Sequence, residues 1–343
     1  MKTYTVDRIR NVGLFSHGGA GKTSLTEASL FTTNVINRLG RVEDGNTVSD
    51  WDPDEAKRGM SISTSVIPVE WNDYKINLID PPGYADFVGE MLGAMRVCDA
   101  ALILMDASAG VQVGTEQAWR FAEKFERPRA ILINKMDREN ANFDEALRQA
   151  QEHFGDIVVP AYLPIGAESD FRGVVDLLEN KAYGFPDDKT GDYPEMEIPP
   201  EMADDVETYR TELIERICEA DEELTLRYLE DEEITADELR TAMCQAFTER
   251  QLVPVLVGAA TSCRGTRLVL DMIVQCFPQP GTEPATRDGG EEVTLQPDAD
   301  GPAAALIFKT VADPYVGKIS YFRVYSGKVK SDSHLQVVQA KKD

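Results

Sequence analysis

Cysteine, histidine and basic charge are all scarce in this chain. Its five cysteines, Cys98, Cys218, Cys244, Cys263 and Cys276, are an odd number, and no two stand in a C-x-x-C pair. That usage reads as a reduced, cytosolic (cytoplasmic) chain and excludes a disulfide framework. The three histidines, His17, His153 and His334, make no H-x-x-x-H motif and no Cys/His cluster, so no structural zinc site is expected. The longer apolar runs, such as residues 100–105, fall far short of the ~20 residues a membrane helix needs, so no membrane partner is expected. A glycine-rich motif within the first 25 residues leaves no room for a signal peptide. Lysine and arginine number 35 against 60 aspartates and glutamates, a net charge of −25. Such a balance excludes a surface given over as a whole to nucleic acid or anionic membrane, though not a local basic face.

What is present is an ordinary globular composition, 42% hydrophobic and 28% charged over 343 residues. That length suits two or three domains and a core that needs no cross-links. Residues 1–157 alternate in the α/β manner. Residues 9–15 read as a strand leading through a glycine-rich turn into a helix from Lys22, and residues 66–71 and 74–79 as a hairpin turning on Asn72-Asp73. Phe87, Met91, Leu92 and Met95 share a helical face, and residues 100–105 and 130–133 are continuous apolar runs, as in strands buried on both sides. Helices are expected over 115–125 and 143–154. The expected fold class is α/β, a doubly wound sheet with ligand at the strand ends.

The pattern then changes. Residues 158–250 read as an inserted acidic α+β subdomain: between 186 and 240 there are 21 acidic against five basic residues, a net of −16. Helical spacing of Val206, Tyr209, Leu213 and Ile217, and of Leu239, Met243 and Phe247, marks this as folded. The α/β pattern resumes over 251–280 with a strand at 253–257 and a helix at 266–277. Residues 281–302 read as a linker, since 278–302 holds five prolines and four glycines. Residues 303–343 read as the beginning of a β-barrel, with strands at 303–311 and 318–326 and the chain stopping inside that domain.

Ser16-His17-Gly18-Gly19-Ala20-Gly21-Lys22-Thr23 follows a predicted strand and opens a predicted helix, the context of a phosphate-binding loop. Backbone N–H groups there, with Ser24 continuing the turn, bind phosphate oxygens, and the glycines permit close approach. Lys22 is expected on the β- and γ-phosphates and Thr23 on Mg²⁺. A loop residue without chemistry is the simpler reading of His17. Asn134-Lys135-Met136-Asp137 follows a buried strand, where the Asp137 carboxylate can accept from guanine N1–H and the exocyclic amine, donors that adenine lacks at that edge. Asn134 would hold the loop and the Lys135 stem cover the base. Asp80-Pro81-Pro82-Gly83 also follows a strand: Asp80 would hold Mg²⁺ through water, and the Gly83 N–H would sense the γ-phosphate. Ser61, in Arg58-Gly59-Met60-Ser61-Ile62, is the candidate second protein ligand on Mg²⁺. The order of these motifs selects GTP over ATP and argues against a kinase.

With these four pieces in order, the chain resembles the elongation factor G family of translational GTPases. Gly258-Ala259-Ala260 resembles the family's G-S-A base loop, and 308–327 the opening of its barrel. The resemblance implies GTP and GDP as ligands, Mg²⁺, and ribosome-stimulated hydrolysis driving tRNA–mRNA translocation or ribosome recycling. It implies ribosomal RNA and the stalk protein as partners, and a monomer off the ribosome. The family's further domains are absent from this chain. A ribosome-bound switch that hydrolyses GTP slowly, as a regulator or protection factor, is the alternative. Four positions depart from the family: Gly19 for an Asp, Ser61 for a Thr, Ala259 for a Ser and Tyr84 for a His. Backbone N–H groups of Ala259 and Ala260 can still meet guanine O6. Tyr84 stands where related GTPases orient the attacking water, so Tyr84, Gly83 and Lys22 are the expected catalytic set. This combination resembles the paralogue branch called elongation factor G-like, or a second elongation factor G. The insert's acidity reads as a solvated surface or as a docking face for a basic partner, and argues against RNA contact there.

Overall fold

A computed structural model of the chain describes residues 2–50, 52–188, 190–287, 290–313 and 316–338. The first part runs β1 (Ile9–Ser16), α1 (Lys22–Thr32), α2 (Pro53–Arg58), β2 (Ser65–Trp71), β3 (Tyr74–Asp80), α3 (Val88–Val97), β4 (Ala100–Asp106), α4 (Val113–Lys124), β5 (Arg129–Asn134), α5 (Phe143–Phe154) and β6 (Val158–Pro160). The acidic segment follows: β7 (Tyr162–Ile165), β8 (Gly173–Asp176), β9 (Lys181–Gly184), β10 (Glu195–Met196), α6 (Ala203–Glu219), α7 (Glu222–Leu229) and α8 (Ala236–Thr248). The chain returns through β11 (Val253–Val257) and α9 (Thr266–Cys276), then two hairpins, β12 (Glu283–Thr286) with β13 (Glu292–Leu295) and β14 (Ala304–Asp313) with β15 (Gly317–Ser326).

One seven-stranded sheet, ordered β2-β3-β1-β4-β5-β11-β6, organises the first part. Only the β2–β3 pair is antiparallel; it is the expected hairpin, with Trp71 opposite Tyr74. The central strands are apolar because both faces are covered: every residue of β5 is buried, as is all of β4 except Asp106. A parallel sheet sends its loops to the carboxyl ends of its strands. The turns after β1, β3, β5 and β11 therefore meet at one edge, and all the sequence motifs lie on them except Arg58–Ile62, which precedes β2. The chain is α/β as expected, with a separate four-stranded sheet, β10-β9-β8-β7, and helices α6–α8 in the acidic part.

Three features depart from expectation. The sheet's edge strand, β6, comes from residues that composition assigns to the insert, because the acidic run starts only at residue 186, well past β6. The segment expected as a linker contains the β12–β13 hairpin, and Glu283 on it is buried between Arg96 and Arg127. Cys244 of α8 and Cys276 of α9 are joined by a disulfide, against the expectation of a fully reduced chain. An odd cysteine count says nothing about pairs that packing of two distant helices brings together; Cys98 and Cys218 are buried thiols. Pro314 and Tyr315, in the expected turn of the last hairpin, lie outside the described residues. No helix among the described residues is long and apolar enough to cross a membrane.

Asp271 on α9 ties the β2–β3 hairpin to the acidic segment. It accepts from Trp71 Nε1 at 2.7 Å, from Asn72 Nδ2 at 2.9 Å and from the Tyr193 hydroxyl. Arg267, one turn earlier, stacks over the Trp71 ring and pairs with Asp192. Replacing Asp271 with Ala strips three donors of their acceptor and should cost about 2 kcal/mol, with water repaying part of the loss at this half-exposed place. A lowered urea midpoint at unchanged m-value is the expected readout. An unchanged midpoint would show that the three bonds are held independently of stability.

Candidate functional site

The glycines of the β1–α1 turn have different reasons to be glycine. Gly19 and Gly21 sit at φ of +84° and +101°, where a Cβ is strained. Gly21 is the N-cap of α1, so the N–H groups of that helix's first turn lack intrahelical partners and form an anion site. Ser16 and Ala20 are buried, and the Ser16 hydroxyl donates to the His17 carbonyl at 2.7 Å. His17 is packed by its backbone against Gly114 of α4, where a Cβ would stand 2.5 Å from the His17 Cα.

Lys22 is buried, and its ammonium donates to Ser16 Oγ at 3.0 Å. Burial draws its pKa below the usual lysine value, with Asp80 and Asp50 pulling the other way. It faces Gly83: a Cβ there would stand 2.5 Å from Nζ. A buried ammonium held by one hydroxyl retains donors for a phosphate oxygen.

Four oxygens converge beside it. Thr23 Oγ1 donates to Asp80 Oδ2 at 3.2 Å and lies 3.3 Å from Ser61 Oγ, which in turn donates to Asp50 Oδ1 at 2.7 Å. Thr26 reaches the same Asp80 oxygen at 3.5 Å. The other oxygen, Asp80 Oδ1, is buried without a partner, and this hard, oxygen-only set fits a divalent cation such as Mg²⁺. Burial pushes the Asp80 pKa up to about 7 even against the Lys22 charge. Deprotonated Asp80 is the form that favours a cation. Mg²⁺ affinity of the nucleotide-free protein should therefore fall as pH drops from about 8 to about 6, by up to ~tenfold per unit below the pKa. Calorimetry across that range measures it, and pH-independent affinity would remove Asp80 from the cation site.

At the other end, Asn134 bridges two loops. Its Nδ2 donates to the Ala20 carbonyl at 2.9 Å and its Oδ1 accepts from Ala260 N at 3.0 Å. Lys135, at φ +65°, points Nζ to Asp106 Oδ2 at 2.6 Å, which stretches its stem along the cleft. Asp137 Oδ2 accepts from Ser262 Oγ at 2.9 Å, while Oδ1 is buried with no partner. A buried carboxylate oxygen left unpaired is costly, and guanine's N–H groups are suitable donors for it. Gly258 stitches the base loop to β5, its N–H donating to Ile133 O and its carbonyl accepting from Met136 N. The expectation that the Ala259 and Ala260 N–H groups wait for guanine O6 is corrected. Ala259 N donates to Arg264 O at 2.9 Å and Ala260 N to Asn134, because both alanines are buried in the loop's own turn. Thr261, the next residue, faces the cleft.

These loops enclose a cleft of about 340 Å³, lined by Gly18 to Ser24 except Ala20, by 59–61, by Gly83 and Tyr84, and by Lys135, Arg138 and Thr261. Asp80 and Asp137 do not line it; Asp80 lies behind Thr23, from which it accepts a hydrogen bond, and Asp137 accepts from Ser262, next to Thr261. Tyr84 is 42% exposed at the cleft rim. Asp50, Thr26, Ser262, Arg138 and Thr261 were not singled out from sequence. Only Asp50 left a trace, in the aspartate-rich stretch before Arg58.

The family model described as the elongation factor Tu GTP binding domain matches residues 7–279. A crystal structure of a Thermus thermophilus protein is similar over 96% of this chain, with 35% identity and a TM-score of 0.84. The match takes in 47% of that protein, so the chain spans about half its length.

Proposed function

The chain belongs to the elongation factor Tu GTP binding domain family of translational GTPases, and from that premise we propose that it hydrolyses GTP on the ribosome to drive tRNA–mRNA translocation or ribosome recycling. The observation that carries the nucleotide choice is the unpaired, buried Oδ1 of Asp137. Guanine N1–H and its 2-amino group satisfy that oxygen; adenine presents no donor at that edge and leaves the carboxylate bare.

In this reading the first turn of α1 and the Lys22 ammonium bind the phosphate chain and neutralise it. Thr23, Ser61 and, through water, Asp80 would hold Mg²⁺, whose charge would offset that of the phosphate oxygens. The Gly83 N–H reads the γ-phosphate. The Tyr84 hydroxyl orients the attacking water, the bond from the γ-phosphorus to its bridging oxygen breaks, and GDP and phosphate leave. A phenol differs from imidazole in reach, which is the feature that favours a slow switch as the second reading.

The partner reading draws on the acidic segment. Leu226 and Leu229 of α7 are 63% and 74% exposed within it. An acidic face bearing two exposed leucines suits a basic partner that also offers apolar side chains, and a ribosomal stalk protein is the proposed occupant. The test is competition of GDP, GTP and ATP for a fluorescent guanine nucleotide, followed by pelleting with ribosomes. Guanine-selective binding and pelleting that depends on a non-hydrolysable GTP analogue are expected. Equal competition by ATP, or pelleting indifferent to nucleotide, would overturn the reading.

A further inference from the structure

We propose that the cavity between the four-stranded sheet of the acidic segment and helices α8 and α9 binds a small organic ammonium ion, the head of an alkylamine, among three tyrosines and two carboxylates. The cavity, of about 120 Å³, shares no lining residue with the nucleotide cleft, so the inference stands apart from the hydrolysis reading.

Strand register assembles one wall. Tyr162 of β7 stands directly opposite Asp176 of β8, and Tyr183 of β9 stands opposite Val174, two residues before Asp176. Side chains directly opposite each other, or two apart on one strand, share a face of a sheet. Tyr162, Asp176 and Tyr183 therefore lie on one side. Asp271 of α9 lines the same cavity, and the Tyr193 ring meets the Tyr183 ring at 85° with centroids 5.4 Å apart, so the two rings form a corner. Met243 of α8 and Met272 of α9 add apolar wall.

The polar groups there are left unmatched. Tyr162 is 8% exposed, yet its hydroxyl has no hydrogen bond among the described residues. Burial raises its pKa well above the ordinary value and the Asp176 and Asp271 charges raise it further, so the phenol stays protonated near both carboxylates. Asp176 Oδ1 accepts from Leu178 N and Glu179 N, both at 2.9 Å, while Oδ2 has no hydrogen bond among the described residues. Burial pushes the Asp176 pKa up to about 6, with the Leu178 N–H and the Arg240 and Arg210 charges pulling the other way. At neutral pH the group is ionised. Both Asp271 oxygens are taken, by Trp71 and Asn72 and by Tyr193, so this residue adds charge rather than contact.

The protein's own cations nearby are engaged elsewhere. Arg240 pairs with Glu179 and, at 2.9 Å, with Asp237. Arg210 donates to the Leu177 carbonyl at 2.8 Å, Arg267 pairs with Asp192, and Lys181, opposite Asp176 on β9, is drawn to Glu195 at 3.0 Å. With Arg240 and Glu179 neutralising each other, the Asp176 and Asp271 charges remain, and they repel an anion. A metal ion is unsuited, since no three His, Cys, Asp or Glu side chains among the described residues are grouped to hold one. An alkylammonium fits: its charge lies against phenol rings, its N–H groups reach Asp176 Oδ2 and the Tyr162 oxygen, and its carbons meet the methionines.

The experiment places 3-fluorotyrosine at position 183 alone in the natural full-length protein and follows its ¹⁹F resonance during titration with propylammonium chloride. KCl and MgCl₂ at the same ionic strength are the controls. A saturable shift with a Kd of about 0.1–10 mM is expected, the range open to so small a ligand. Asp176→Asn should weaken binding by at least about tenfold, and Tyr162→Phe by about threefold or more. An asparagine oxygen can still accept from Leu178 N and Glu179 N, so the turn is kept, and unchanged GDP affinity shows that each variant is folded. Should Asp176→Asn fail to fold, Tyr162→Phe, which removes a single oxygen, carries the comparison. No saturable shift would overturn the proposal. So would equal affinity in the parent and both variants, which would put the amine elsewhere on an acidic surface, or the same shift with K⁺ or Mg²⁺, which would make this an inorganic cation site.

Discussion

Asp137→Asn should weaken GTP and GDP binding by about 10⁴-fold, the size of effect seen when a site built around specific hydrogen bonds loses its match. The carboxylate offers two acceptors. One is occupied by the Ser262 hydroxyl and the other is buried and unpaired, so it is held ready for a ligand donor. An amide offers one acceptor and two N–H donors. Turned to keep the Ser262 bond, it points N–H groups at guanine's own donors, a clash of like partners in a desolvated place. Xanthine carries a carbonyl where guanine carries its 2-amino group, so the same variant should gain affinity for xanthine nucleotides. Displacement of a fluorescent nucleotide by GDP and by XDP reads both changes. Unchanged GDP affinity in Asp137→Asn would place the base elsewhere, whatever the motif.

Tyr84→Phe should lower ribosome-stimulated kcat by about 10²-fold, at the lower end of the range for a lost acid, base or water-orienting group. Phenylalanine keeps the ring, and so its contact with Gly18, and removes only the oxygen. The change therefore isolates the hydroxyl from the packing. The loss should fall on kcat with little change in nucleotide affinity, because the ground-state contacts of Lys22 and α1 remain. Tyr84→His puts an imidazole in place of the phenol and measures what the difference in reach is worth at this position. If Tyr84→Phe turns over as fast as the parent, the hydroxyl has no part in the reaction and Tyr84 acts as a packing residue.

The nucleotide loops were legible in the sequence because each is a short, local pattern whose chemistry depends on adjacent residues. Gly21 must adopt a left-handed backbone to open α1, and Asp80, Asn134 and Gly258 each follow an apolar strand. The buried strands declared themselves by unbroken apolar runs, and the β2–β3 hairpin by Asn72-Asp73, both of which take positive φ in the structure. What could not be read depends on contacts between distant segments. Asp50 reaches Ser61 because the chain from 40 to 50 folds back against α1, with Glu27 accepting from Gly40 N and Val48 N. Ser262 meets Asp137 across 125 residues of sequence. The Cys244–Cys276 disulfide and the burial of Glu283 are likewise products of packing. Gly18 is a different case: the residue was singled out, but the reason for it was hidden. Sequence suggests a glycine for close approach of the backbone to phosphate, and only the fold shows the Tyr84 ring in the space a side chain would take.

GTP hydrolysis by the natural full-length protein, followed over many turnovers with and without bacterial ribosomes and with ATP as control, bears most directly on the function. Hydrolysis of GTP raised at least about a hundredfold by ribosomes, with ATP left untouched, is the predicted result. Tight GTP binding with no ribosomal stimulation, or equal turnover of ATP, would contradict it.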